Sequence, residues 1–430
     1  MTRQPLRVAV LARSVYPIHP YGGLERHVFD LVRHLLARDV DVTLITRPPT
    51  TSGRRVDATG FENSLAHSAL TTIYVPYRTF PFAGRRGTTI ADRNTAYLRF
   101  GWLAGRAAAQ LAHDGRVDIV HGLGASSLGY AISPSPDNER RVPFVFNPQG
   151  LEEFGTTQNF MGRLKRIAYR PLQTAVRRCA AAADRVIATD RVLVAPLREH
   201  LDLADDKVRI IPNAVDVDTC DSLGSQETAL ALRRRISLES NDPLLLSVGR
   251  LEENKGFHVL ARALGELQAK SDDRKASVMN WRWVLLGDGP FRNRLERVLG
   301  RLGLASRVVM PGRVSDSELH SWYRAATLFV HPTLYEGSSL VTLEAMAHRR
   351  AVVATAAGGL PDKVHPGVNG WLVGPGQAAP LAAAIREALS APEQLRQMGE
   401  QSRSIVERSF SWNAAATALL NVYEELLGES

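Results

Sequence analysis

The sequence predicts an α/β chain of two doubly wound domains, each a parallel sheet covered by helices. Three observations predict it. The chain has 430 residues, which at about 150 per domain means two or three domains. Short runs rich in Val, Leu and Ile alternate with longer amphipathic stretches. The short runs lack polar alternation, as strands do when a parallel sheet is buried on both faces.

The elements follow in order. Arg7 to Ala12 reads as a strand, and Leu24 to Leu36 as a helix with apolar residues at 24, 28, 31, 32, 35 and 36. Strand-like DVTLIT from Asp41, TTIYV from Thr71, VDIVH from Val117, PFVFN from Pro143 and RVIAT from Arg185 complete the first half. In the second half LLLSVG, WRWVLLG, RVVM, TLFVH and AVVAT each precede a turn or helix. Asp202 to about Asn241, rich in acids and turn residues, reads as a hinge with few strands. Residues 50–70 and 132–141 read as surface loops, Gly367–Gly370 as a tight turn, and Trp412 to Leu427 as a closing helix.

Composition narrows the class. The chain is 44% hydrophobic and 23% charged, which excludes disorder, collagen and coiled coil. Two cysteines, Cys179 and Cys220, cannot form a disulfide framework and suit a reducing compartment. No apolar run nears the ~18 residues of a membrane helix. The N-terminal apolar stretch is short and interrupted by charge, so it reads as a strand and not as a leader. Residues 1–200 carry 27 Lys and Arg against 16 Asp and Glu, whereas 201–430 carry 26 against 28. The net +9 therefore belongs to the first half, and an anionic partner is expected there.

The chemistry lies in the turns after the strands. Gly22-Gly23 follows the first strand and opens the first helix, a place where backbone amides can approach an anion. A plain glycine loop would look the same. Gly249-Arg250 and Lys255-Gly256 follow LLLSV. Arg grips phosphate through paired hydrogen bonds and Lys adds a point charge. Lys is scarce here, six against 47 Arg, so Lys255 is not filler, although a surface salt bridge is the bland alternative. Gly287-Asp288-Gly289-Pro290 ends another strand, with cleft shaping by its glycines and no ligand for Asp288.

The stretch from His331 to Ala347 is the richest. Ser338 or Ser339 can cap a helix running to about Arg349, whose first amides favour a diphosphate. Glu336 stands before that helix and Glu344 within it. Either carboxylate can accept from paired sugar hydroxyls or stay a solvated surface group. Ala357-Gly358-Gly359 is a further backbone-rich turn.

In this order the turns resemble glycosyltransferase family 4, which has the GT-B fold, over nearly the whole chain. The motifs are Gly22-Gly23-Leu24-Glu25, Gly249-Arg250 to Lys255-Gly256, Gly287 to Pro290, the pair Glu336 and Glu344, and SFSW at 409–412 before a last helix. The resemblance implies two Rossmann-like domains facing a central cleft. It divides the chain into an acceptor-side domain 1–205, a nucleotide-sugar domain 206–408, and a segment 409–430 crossing back onto the first. It implies a retaining, metal-independent hexosyl transfer from a nucleotide-diphosphate sugar to a glycan or lipid-linked acceptor, with no cofactor.

Arg250 and Lys255 would hold the diphosphate and stabilise the leaving charge. Gly22, Gly23, Gly337, Ser338, Ser339, Leu340 and Val341 would line the donor. Glu344 would bind the ribose and Glu336 the transferred sugar, the latter counted with Arg250 and Lys255 as catalytic. Gln149 stands where many relatives have His, and Asp362 where Glu is common. Gln149 can donate a hydrogen bond but cannot become cationic. His121, ending VDIV, is an acceptor-side candidate, with a buried structural histidine as the alternative.

A dinucleotide oxidoreductase is disfavoured because Ser127 takes the third glycine position after Gly122-Leu123-Gly124. A catalytically weak sugar-nucleotide-binding protein, or another GT-B enzyme such as a sugar-nucleotide epimerase, is the alternative function. The basic segment Gly162 to Arg178 predicts an amphipathic helix, interrupted near Pro171, able to lie on anionic membrane from the cytoplasmic side. A nucleic-acid partner is not expected.

Overall fold

The structure is a computed structural model describing residues 4–19, 23–49, 68–79, 88–134, 141–151, 153–154, 166–239, 241–271 and 280–428. The chain divides into two compact units, one of residues 1–212 with 415–430 and one of 213–414. Gly22, and most of the loops expected at 50–70 and 132–141, lie outside the described residues. So do residues 162–165 of the basic segment.

The first unit holds a seven-stranded sheet. Its strands are β1 (Arg7–Leu11), β2 (Asp41–Thr46), β3 (Leu70–Tyr74), β4 (Ile119–Leu123), β5 (Phe144–Asn147), β6 (Arg185–Ala188) and β7 (Val208–Ile210). They run in the order β3-β2-β1-β4-β5-β6-β7, and every pair is parallel. β4 and β5 are buried along their whole length, as their unbroken apolar runs require. The first helix, Gly23–Leu36, buries Val28, Leu31, Val32, Leu35 and Leu36 at helical spacing.

The stretch 202–241, read as a hinge with few strands, contains the boundary between the two units at 212/213 and one short strand, β7. Val208–Ile210 pairs with β6, and helices Val217–Leu223 and Gln226–Arg235 follow. Three edge residues, two half-buried and Ile210 exposed, carry little apolar signal, so this strand leaves little trace in the sequence.

The second unit holds a six-stranded parallel sheet ordered β10-β9-β8-β11-β12-β13. The strands are β8 (Leu244–Val248), β9 (Arg282–Leu286), β10 (Val308–Gly312), β11 (Leu328–His331), β12 (Val352–Thr355) and β13 (Gly370–Val373). Large side chains such as Trp283, Phe257 and Leu295 fill one face, and Trp322, Tyr323 and Met346 the other. In each sheet the turns that follow adjacent strands line up along one edge, where ligands of open α/β sheets bind.

Helix Trp412–Gly428 begins in the second unit, and its residues from Ala415 on belong to the first. There Glu425 receives Arg185 at 2.7 Å and Arg209 at 2.6 Å, from β6 and β7. Among the described residues no helix is long and apolar enough to cross a membrane.

Candidate donor site

Four adjacent strands of the second sheet, β9, β8, β11 and β12, present their following turns side by side. The turn after β8 is clamped between its neighbours. The Leu251 amide donates to Asp288 O at 3.1 Å, and the Phe291 amide donates to Leu251 O at 3.0 Å. A Cβ on Gly287 (φ +123°) would sit 2.0 Å from Gly249 O, and one on Gly289 would sit 2.3 Å from Leu251 O. The glycines of Gly-Asp-Gly-Pro therefore let two backbones touch, which fixes where Arg250 stands.

On the other side Gly256 (φ +68°) would drive a Cβ to 1.9 Å from Pro332 O. The Leu334 amide donates to Asn254 O at 2.7 Å, and Thr333 Oγ1 donates to the same oxygen at 3.1 Å. Arg250 and Lys255 are thus carried on a segment stitched to both neighbouring turns.

The two cations differ in setting. Arg250 is 65% exposed and pairs with Glu252 at 3.1 Å. Lys255 is mostly covered, and its Nζ donates to Glu336 Oε2 at 2.9 Å. His331 Nε2 lies 2.7 Å from the same oxygen. Burial alone would raise the Glu336 pKa, but the His331 hydrogen bond and the Lys255 charge outweigh it and bring it down to about 2. Glu336 is therefore an anion at neutral pH, held between two donors.

Helix Leu340–Ala347 starts beside this group. Ser339 is its N-cap, accepting the Thr342 amide at 3.4 Å. By helix geometry the Leu340 and Val341 amides have no intrahelical acceptor, and they mark the positive end of the helix dipole. Gly337 is exposed, and Ser338, Leu340, Val341 and Glu344 are half-buried. Glu344 Oε2 accepts the Tyr323 hydroxyl at 2.8 Å, which fixes its direction.

The turn after β12 braces the loop. Gly358 (φ +53°) would place a Cβ 1.8 Å from Glu336 O, and the Gly359 amide donates to Gly337 O at 3.1 Å. Lys363, fully buried, donates to Ser338 Oγ at 3.2 Å and Gly359 O at 3.1 Å, tying the two turns together. His331, Tyr323 and Lys363 were given no role from the sequence. His331 alone left a signal, as a polar residue ending an apolar strand directly before the Glu336 loop.

In the first unit, Gly23 is the exposed first residue of its helix. Gln149 sits after β5 with φ +66°, its amide donating to Asn147 Oδ1 at 2.9 Å. Its side-chain Nε2 is buried without a partner among the described residues.

His121 requires a correction. It is 1% exposed, and its Nδ1 meets the Tyr423 hydroxyl at 2.6 Å. Burial, then His27, brings its pKa down to about 3. It fastens the last helix to β4 and offers no surface to an acceptor.

Among the described residues, Cys220, His320 and His348 bring ligand-capable atoms within 4.8 Å of one another. All three are buried, and His348 follows the last residue of helix Leu340–Ala347, at the end away from Ser339.

Two parallel sheets with anion-suited turns at their strand ends define a GT-B fold. Sucrose-phosphate synthase from Thermosynechococcus elongatus has this architecture, with a TM-score of 0.71 at 24% identity over 100% of both chains. So does Anabaena HepE, solved in complex with UDP-glucose, with a TM-score of 0.66 at 19% identity over 99% of this chain and 100% of that one. In sequence, the family described as Glycosyltransferase Family 4 matches residues 21–219, and Glycosyl transferases group 1 matches 230–405. A D-inositol 3-phosphate glycosyltransferase of Xylanimonas cellulosilytica is 31% identical over 99% of this chain and 97% of its own. The chain belongs to the group 1 glycosyltransferases of family 4, and it is a glycosyltransferase.

Proposed function

We propose that the chain transfers a hexosyl unit, with retention, from a nucleotide-diphosphate sugar to a glycan or lipid-linked acceptor. The observation that carries this reading is the joined group of Arg250, Lys255, Glu336 and the helix start at Leu340. Arg250 and Lys255, with the Leu340 and Val341 amides, would bind the diphosphate. Glu344 would take the ribose hydroxyls and Glu336 those of the sugar. That Anabaena HepE was solved with UDP-glucose supports a nucleotide-sugar donor.

In the reaction the bond from the sugar's anomeric carbon to the phosphate oxygen breaks as the acceptor hydroxyl attacks from the same face. The acceptor proton passes to the departing phosphate oxygen. The negative charge gathering there meets two cations and two amides, which is why no divalent metal is invoked.

The basic helix supports a peripheral membrane position at the cytoplasmic face. Helix Arg170–Ala182 leaves Arg170, Arg177 and Arg178 exposed and buries Leu172, Val176 and Cys179, and Ile167 just before it is 55% exposed. Residues 166–168 are helical, a turn falls at Tyr169, and Pro171 lies in the first turn of the helix that follows, so the basic segment is interrupted there.

The test is a panel of nucleotide sugars in chelator, scored for nucleoside diphosphate released with and without a glycan or lipid-linked acceptor. Release that depends on the acceptor supports a transferase. Release without acceptor, or binding with no release, overturns it. Flotation with vesicles that shows no preference for anionic lipid removes the membrane position.

A further inference from the structure

We propose that the Ser338 hydroxyl, turned by the buried ammonium of Lys363, donates a hydrogen bond to the diphosphate of the nucleotide sugar. Ser338 then binds through its side chain, and Lys363 is a positioning residue that acts through it. This rests on the transferase reading and adds two side chains to its anion site.

Lysine is seldom fully buried. Lys363 is 0% exposed, in the segment between β12 and β13. Its backbone is pinned. The amide donates to Leu360 O at 3.0 Å, and the carbonyl accepts from Asn369 Nδ2, itself buried, at 3.0 Å. The Nζ lies 5.5 Å from the centroid of the Phe410 ring, over its face. From there it donates to Gly359 O at 3.1 Å and to Ser338 Oγ at 3.2 Å. The Gly359 amide donates to Gly337 O at 3.1 Å, so Gly337, Ser338, Lys363 and Gly359 close a ring. All of these residues belong to the second unit.

The direction of the Lys363 contact decides the chemistry. An ammonium has three donors and no acceptor, so Ser338 Oγ must accept. The hydroxyl hydrogen is left for a second partner, and among the described residues it donates to none. Ser338 is half-buried, between exposed Gly337 and the N-cap Ser339. Lys363 takes its covered side. Its open side lies at the start of helix Leu340–Ala347, where the first amides have no intrahelical acceptor. Accepting from an ammonium polarises the O–H and strengthens it as a donor. A charged phosphate oxygen gains most from such a donor. The plain alternative is a brace, in which Lys363 ties two turns together and the hydroxyl meets water.

The test measures binding apart from transfer. UDP, ADP and GDP are titrated into the full chain by calorimetry, and the nucleoside of the base that binds is followed by saturation-transfer NMR. Ser338→Ala is expected to weaken nucleoside diphosphate binding at least about tenfold and to leave nucleoside binding within about twofold. Ser338→Thr, which keeps the hydroxyl, is expected to hold diphosphate affinity within about threefold of wild type. Lys363→Met is expected to weaken the diphosphate selectively as well, and to add less than about twofold when Ser338→Ala is already present.

Full diphosphate affinity in Ser338→Ala overturns the proposal, because the hydroxyl then meets only water. Equal losses of diphosphate and nucleoside also overturn it, because the two residues then only brace the loop. Either result leaves the donor site itself standing. The two Ser338 variants decide the matter if Lys363→Met does not fold. No diphosphate binding by the wild-type chain overturns the donor reading and this proposal together. The expected selective losses in a chain that shows no transfer support the hydroxyl and remove only the reaction.

Discussion

Lys255 Nζ and Glu336 Oε2 lie 2.9 Å apart and join two turns that are 81 residues distant in sequence. The sequence reading gave these residues separate duties, one on phosphate and one on sugar. Their contact makes them one unit, with His331 as third member. On the proposed reading, a diphosphate engaging Lys255 would also alter what holds Glu336, coupling donor binding to the placement of the carboxylate proposed to bind the sugar.

The pair should show as coupling in stability. Both side chains are mostly covered, at 20% and 12% exposure, so removing one leaves the other poorly solvated. Lys255→Met and Glu336→Gln, singly and together, should give a double-mutant coupling of about 1–3 kcal/mol in urea denaturation. Additive costs would show that the contact contributes nothing.

Arg250 should behave differently. It is exposed and, among the described residues, pairs with neighbouring Glu252, so Arg250→Ala should change stability by less than about 0.5 kcal/mol. Its kcat/KM for the donor should still fall by about 100-fold, as expected when a cation is removed from a leaving diphosphate. Calorimetric unfolding and steady-state kinetics on one preparation separate the two effects.

Gly358 offers a backbone test. With φ +53° and no room for a Cβ beside Glu336 O, Gly358→Ala must push the Glu336 loop aside. A loss of at least about 1 kcal/mol is expected, with a raised donor KM. Unchanged donor KM would mean that the loop's position does not matter to the donor.

Much of this was legible from the sequence, for physical reasons. Apolar runs such as LLLSV and TLFV announce buried parallel strands, and the glycine-bearing turns after them announce close backbone approach. Other features came only from the folded chain. Lys255 with Glu336, and Tyr323 with Glu344, are contacts between distant segments and leave no local pattern. Lys363 carries no apolar signal, although it is fully buried. His121 looked like a site residue because strand-end histidines often are. Its partner, Tyr423, lies 302 residues away.

Acid should unfold the chain through its buried histidines. His19 and His27 are lowered to about 4, and His121 to about 3, in each case first by burial. The unfolded chain takes up these protons near the ordinary histidine pKa of about 6.5, while the folded chain refuses them. Stability should therefore be full above pH about 6.5 and fall steadily toward pH 4. Glu336 adds a loss only below about 4.5. Thermal unfolding from pH 7.5 to 4.5 checks this, and His121→Phe, which cannot take the proton, should flatten the slope.

The most direct test of the donor assignment is kcat/KM for nucleoside diphosphate release by Lys255→Ala, measured with acceptor and chelator present. The expected result is a fall of at least about 100-fold with the fold retained. A Lys255→Ala rate within about twofold of wild type would show that the diphosphate is held elsewhere.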